Sequence, residues 1–166
     1  MTSTAEPCTA RDDWRPRGPA RAGDGSPGAP LTASVGLPPR LEAAALGRRF
    51  VRMVLAEWGF EADSAYTVQL VTTELVSNAV RHAAADEELE LSLVLEGDRV
   101  TVGLSDGSAI PPVVAALTHD AESGRGMSII TEVAAAWGTA ERPTGKQVWA
   151  RLELCRREPG GQGSNL

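Results

Sequence analysis

At 166 residues, with 42% hydrophobic and 23% charged side chains, the chain has material for one globular domain of roughly 100–150 residues plus tails. A formal net charge of −6 denies it the basic field with which a dedicated DNA or RNA binder holds phosphates, so direct nucleic-acid binding is not expected. Cys8 and Cys155 are the only cysteines and stand near opposite ends, which excludes a disulfide framework or a multi-cysteine zinc site; with no apolar run near the roughly 20 residues of a membrane span and no secretory leader, a soluble, cytoplasmic protein is expected.

Residues 1–30 carry Pro16, Pro19, Pro27 and Pro30 among Gly, Arg and small polar residues, with Trp14 as their large apolar group. Such a segment cannot bury enough surface to offset its ordering entropy, and it reads as a disordered tail, as do residues 156–166 with Gly160, Gly161 and Gly163. The domain is expected at 31–155, without internal repeats. Thr32–Val35 is a short strand candidate. Leu41, Ala45, Leu46, Phe50, Met53, Val54 and Trp58 then recur at three- and four-residue spacing up to Gly59, which predicts an amphipathic helix with those residues on its buried face.

A second helix is predicted from residue 62 or 63 to 84, with Val68, Val71, Leu75, Ala79 and His82 on a common face. Two alternating runs follow, Leu89–Leu95 and Val100–Leu104, joined by the turn material Glu96-Gly97-Asp98-Arg99. Beyond a Pro111-Pro112 loop, Ser123-Gly124-Arg125-Gly126 leads into a helix from Met127 to about Ala134. Two last strands, 135–141 and 147–154, are joined through Arg142-Pro143-Thr144-Gly145-Lys146. A strand, two helices, a hairpin, a helix and a hairpin imply an α+β two-layer sandwich, not a parallel doubly wound sheet, so Gly124-Arg125-Gly126 is no dinucleotide fingerprint.

Three segments carry chemistry. In Thr72–His82, Glu74, Asn78 and His82 stand at i, i+4 and i+8, a polar column along the edge of the buried stripe. An Asn oxygen is a neutral, hard ligand for Mg²⁺, and a Glu one turn away can orient or deprotonate an attacking hydroxyl; one protein ligand suffices if phosphates complete the shell. In Val102–Ser108 an apolar strand runs into Asp106, and a rigidly held carboxylate accepting from an exocyclic amine selects adenine over guanine. In Glu122–Ile130, Gly124 and Gly126 at a helix N-terminus let backbone N–H groups approach phosphate oxygens, with Arg125 as a charged donor. Read singly, each segment is also an ordinary surface helix, an Asp-Gly turn or a flexible capped loop.

In this order and spacing the three segments resemble the N box and the two glycine boxes of the GHKL superfamily of ATP-binding domains, which includes sensor histidine kinases and gyrase. The closer likeness is to its anti-sigma-factor serine kinase branch, the small stand-alone regulators of high-GC bacteria. It is carried by Phe50-Val51-Arg52, Leu55–Gly59, Glu74–His82, Asp106-Gly107-Ser108, Gly124–Met127, Ala136-Trp137-Gly138 and Gly145–Trp149, across 31–155. The resemblance implies a Bergerat-type sandwich, a mixed, mostly antiparallel sheet covered by helices, with ATP held under a lid. It also implies Asn78 as the Mg²⁺ ligand, Glu74 as the general base, Asp106 as the adenine-recognising group and Gly124 and Gly126 as lid glycines. Arg125, His82 and the Thr144-Gly145-Lys146 turn are nearby contributors to binding.

In that branch the γ-phosphate goes to a Ser or Thr of an anti-sigma-factor antagonist, and the unphosphorylated antagonist competes with a sigma factor for the kinase. The branch commonly dimerises through its sheet, so a homodimer is expected on the resemblance alone. The chain departs from the wider superfamily where Asp106-Gly107-Ser108 runs into Pro111-Pro112 instead of a Gly-rich turn, and where the lid segment has a single Gly-x-Gly. Both departures weigh against histidine-kinase activity more than against ATP binding. The expected function is therefore an anti-sigma factor with ATP-dependent serine/threonine kinase activity. The alternative is a non-catalytic module, with or without nucleotide, that sequesters a partner; a gyrase-like ATPase is a third. Residues 31–155 carry 10 basic and 17 acidic side chains, a formal −7, so a nucleotide is held through Mg²⁺, lid amides and local arginines rather than by net charge.

Overall fold

The computed structural model describes residues 28–82, 87–107 and 125–155. Apart from 28–30, the tails expected at 1–30 and 156–166 lie outside them. The elements run β1 (Leu31–Leu37), α1 (Ala43–Glu57), α2 (Ala62–His82), β2 (Leu89–Glu96), β3 (Arg99–Asp106), α3 (Arg125–Val133), β4 (Ala136–Arg142) and β5 (Gly145–Glu153). The strands form one sheet in the order β1-β2-β3-β5-β4, and its four ladders are antiparallel. With the helices packed on it, this is the α+β sandwich the sequence predicts.

The weak strand candidate at 32–35 becomes a full edge strand, paired from Leu31↔Leu95 to Leu37↔Leu89. Its own run is short, but Ala33, Val35 and Leu37 fall opposite Leu93, Leu91 and Leu89, and β2 supplies the template. Both hairpins are tighter than their sequences suggest. Glu96 pairs with Arg99 across Gly97-Asp98, and Arg142 pairs with Gly145 across Pro143-Thr144, so the five-residue connection expected at 142–146 is a two-residue turn.

One face of the sheet carries Leu89, Leu91, Leu93 and Leu95 of β2 against Val100, Val102 and Leu104 of β3 and Ala150 and Leu152 of β5, all buried. With strand side chains alternating at a period of two, the other face is more polar. There Gln147, 1% exposed, donates from Nε2 to Ser92 Oγ at 3.5 Å, and Ser92 Oγ donates to the Gly103 carbonyl at 3.2 Å. Arg142 donates from Nη1 to Ser105 Oγ at 2.9 Å and pairs with Glu90 at 3.3 Å.

The first helix corrects the predicted face in part: Val54 is buried and Phe50 and Trp58 pack partly buried against the core, as predicted. Its buried residues are Ala43, Gly47, Val51, Val54 and Leu55, while Leu41 is 91% and Met53 61% exposed and Leu46 is exposed as well. Size as well as hydrophobicity chose the contact. A Cβ on Gly47 would stand 3.1 Å from Thr72 Cγ2 of α2 and 3.4 Å from Leu91 Cδ2 of β2, so the small residues Ala43 and Gly47 mark the side on which α1 nests closest to its neighbours. Along α2 the predicted stripe holds at Val68, Val71, Leu75 and Ala79, which are buried and joined by Ala65, Thr72 and Val76, while the side chain of His82 lies outside the described set. Thr72 is tolerated there because its hydroxyl donates to the Val68 carbonyl at 2.8 Å. No helix among the described residues is long and apolar enough to cross a membrane.

The corrected face is tested by two substitutions on α1. Leu55→Ala should cost about 2–5 kcal/mol, and Met53→Ala should stay within about 0.5 kcal/mol, read from urea denaturation midpoints.

Candidate functional site

The site begins where the buried face of β3 runs out of apolar residues. Val100, Val102 and Leu104 point into the core, and the next residue of the same parity is Asp106, which is only 6% exposed. Its Oδ1 is buried with no hydrogen-bond partner, and its Oδ2 lies 3.6 Å from Lys146 Nζ. Lys146 is the residue of β5 paired with Asp106 across the ladder. An acceptor withdrawn from water without a donor is costly, and a native fold keeps one where something else supplies the donor.

The β4–β5 turn seats the end of β3. Gly145 has φ +116°, and a Cβ there would collide with the Asp106 carbonyl oxygen and the backbone of Gly107. Only glycine combines that dihedral with that approach. Thr144, expected among the nucleotide contacts, is exposed in the turn itself.

The chain brings α2 to the same end of the sheet. Residues 83–88 join α2 to the start of β2, which pairs with the end of β3 through Glu90↔Ser105, and α2 packs against β3. Glu87 confirms the placement: a Cβ on Gly107 would lie 3.8–4.0 Å from its Cδ, Cγ and Oε1, and its Oε2 is buried without a hydrogen-bond partner. On α2, Glu74 and Asn78 are partly buried, one turn apart, between the sealed stripe of Leu75 and Ala79 and the solvent. This is the boundary position predicted for them. His82 closes α2. Arg125 and Gly126 open α3, two residues earlier than the residues alone suggest, and α3 packs against α2 and β4. Gly124 and the stretch Ser108–Pro112 lie outside the described residues.

Two carboxylate oxygens, on Asp106 and Glu87, are thus buried without donors at the end of β3, beside a helix carrying a carboxamide and a carboxylate at its water-accessible edge. Among the described residues no three His, Cys, Asp or Glu side chains converge as a metal cage. A carboxamide and a carboxylate one turn apart are oxygen donors of the kind a hard cation accepts when phosphate and water complete its shell.

Residues 37–152, from the last residue of β1 to the penultimate residue of β5, match the histidine kinase-like ATPase domain family. The chain belongs to that family. No curated protein sequence matches it. Among solved structures, this histidine kinase-like ATPase domain is similar to the crystal structure of the RsbU and RsbW domains of Rv1364c from Mycobacterium tuberculosis, at 20% identity and a TM-score of 0.57. The likeness covers 79% of this chain and 34% of that one, so the chain spans about a third of the length of that structure. At this identity the likeness establishes a shared fold.

Lys146 is the residue whose partner the sequence could not name. It stands in the 144–146 turn segment, but its pairing with Asp106, 40 positions earlier in sequence, exists only through the β3–β5 register. Gly145→Ala should cost more than about 1 kcal/mol, because the new Cβ meets backbone rather than a side chain that can rotate away. A lowered thermal midpoint checks this, with Thr144→Ala, in the exposed turn, close to wild type.

Proposed function

We propose that this histidine kinase-like domain binds ATP with Mg²⁺ and transfers the γ-phosphoryl group to a serine or threonine of an anti-sigma-factor antagonist, thereby controlling the release of a sigma factor. The observation that carries the nucleotide reading is the buried, unpartnered Oδ1 of Asp106, an acceptor awaiting a donor such as the adenine 6-amino group. Guanine, with an oxygen at that position, would set acceptor against acceptor. The family match supports the nucleotide, and the fold shared with the RsbW domain supports the regulatory branch.

On this reading Asn78 holds the metal from the edge of α2, and the lid residues Gly124, Arg125 and Gly126 meet the phosphates at the start of α3, with His82 and Thr144 at its margins. Mg²⁺, when bound, would neutralise charge on the phosphates. Glu74, one turn before Asn78, accepts the proton of the attacking hydroxyl as its oxygen forms a bond to the γ-phosphorus. The bond from that phosphorus to the β,γ-bridging oxygen breaks, and ADP leaves with the electron pair. Positioning, one base and charge neutralisation suffice for such a transfer.

Incubation with Mg²⁺, γ-labelled ATP and a candidate antagonist tests the proposal. Glu74→Ala should lower label transfer by about 10²-fold or more while ATP binding persists, and EDTA should abolish transfer. Asp106→Asn should weaken ATP binding roughly tenfold to a hundredfold, and Asn78→Ala should weaken it in Mg²⁺. Wild-type protein that binds ATP but labels no antagonist would overturn the kinase and leave partner sequestration. Unchanged ATP affinity in both Asp106→Asn and Asn78→Ala would overturn the site.

A further inference from the structure

We infer that Lys146 is the positioning residue that makes Asp106 a base-selective acceptor, and that discrimination between 6-amino and 6-oxo purines depends on this lysine. The inference rests on the adenine reading of Asp106 and goes beyond it by assigning the residue that sets its specificity.

Asp106 sits 6% exposed at the end of a strand whose preceding inward residues are Val100, Val102 and Leu104. A carboxylate there needs a compensating charge, since an unpaired buried charge is met by protonation or by rearrangement toward water. The Lys146 ammonium, 3.6 Å from Oδ2 and with its side chain only 14% exposed, is that charge. The pairing is asymmetric, because Oδ2 faces the ammonium and Oδ1 has no partner. Lysine suits this division of labour. A compact ammonium can sit on one oxygen, whereas a guanidinium forks across both oxygens of a carboxylate and would cap the one the base needs. The chain has 16 basic residues, and Lys146 is its single lysine.

The surroundings reinforce the assignment. Glu87 brings a second buried carboxylate oxygen to Gly107, and Glu141 is the β4 residue opposite Lys146, so the register sets the Lys146 ammonium among acidic residues at this strand end. Arg142 is engaged on the other face with Ser105 and Glu90. The register Asp106↔Lys146 and the close seating of Gly145 on the Asp106 backbone hold the ammonium in place. With the lysine removed, Oδ2 loses its partner and the carboxylate is no longer held with Oδ1 turned toward a 6-amino donor, so selectivity would fade.

Calorimetric titration of the full chain with ATP and with inosine triphosphate, whose base carries 6-oxo in place of 6-amino, tests this. Lys146→Met should weaken ATP binding roughly tenfold or more and change inosine triphosphate binding less than about twofold, moving the affinity ratio toward one. A parallel loss for both nucleotides would place Lys146 on the phosphates or in the fold and overturn the inference, and so would no change for either. The double variant Asp106→Asn with Lys146→Met carries the test where the single variant does not fold. Its ratio should equal that of Asp106→Asn alone, and a further change in ratio would show that Lys146 acts independently of Asp106. If Asp106→Asn keeps the wild-type ratio, the adenine reading of Asp106 itself fails, whatever Lys146 does.

Discussion

Everything in this domain hangs on the strict alternation of side chains along β2, β3 and β5. The parity that sends Leu89, Leu91, Leu93 and Leu95 against the helices also sends Val100, Val102 and Leu104 there, and it does not stop where the apolar residues stop. Asp106 is the next member of the series, and Lys146 is its partner in a ladder that has already placed Leu104 opposite Val148 and Val102 opposite Ala150. A slip of one residue would expose the leucine ladder, so the hydrophobic core fixes the register and the register fixes the site. The charged pair thus inherits its position from burial of the core and needs no interaction of its own to find it.

The helical layer is adapted to the same end. On α1 the small residues Ala43 and Gly47 face inward and permit close approach to Thr72 and Leu91, while Leu46 and Met53 are left to solvent. On α2 the seal of Val68, Val71, Leu75 and Ala79 leaves Glu74 and Asn78 at its edge, neither buried beyond reach of a ligand nor free to wander in solvent. A helix whose other side is locked into a core fixes the backbone of a carboxamide and a carboxylate one turn apart, which suits the metal-binding and proton-accepting roles proposed for them.

Much of this was legible in the residues. The period-two runs at 89–95 and 100–104 and the stripe along 62–84 gave strands and helix, and Asp106 stood out because an acidic residue continues an apolar strand. The buried face of α1 was legible only in part, at Val54, Phe50 and Trp58, since hydrophobic periodicity weighs Leu41, Leu46 and Met53 above Ala43 and Gly47, whereas close packing rewards small side chains where two elements touch. The length of β1 was hidden for a different reason: an edge strand borrows its pairing from a neighbour more than fifty residues away. The two-residue turn at Pro143-Thr144 was obscured by the polar run around it, and Gly145 belongs to the strand only because it must lie flat on Asp106–Gly107.

By itself the sequence determined the α+β order of elements, the polar column Glu74-Asn78 at the margin of a buried stripe, and an acidic residue at a strand end, because these follow from local periodicity and residue chemistry. Only the tertiary structure decided that Asp106 is buried with one oxygen unpaired, that Lys146 takes the other, and that Gly145 clamps the strand end between them. Those relations depend on which strands lie side by side and in what register. That is set by burial of the leucine ladder across the whole sheet, a property no local segment possesses.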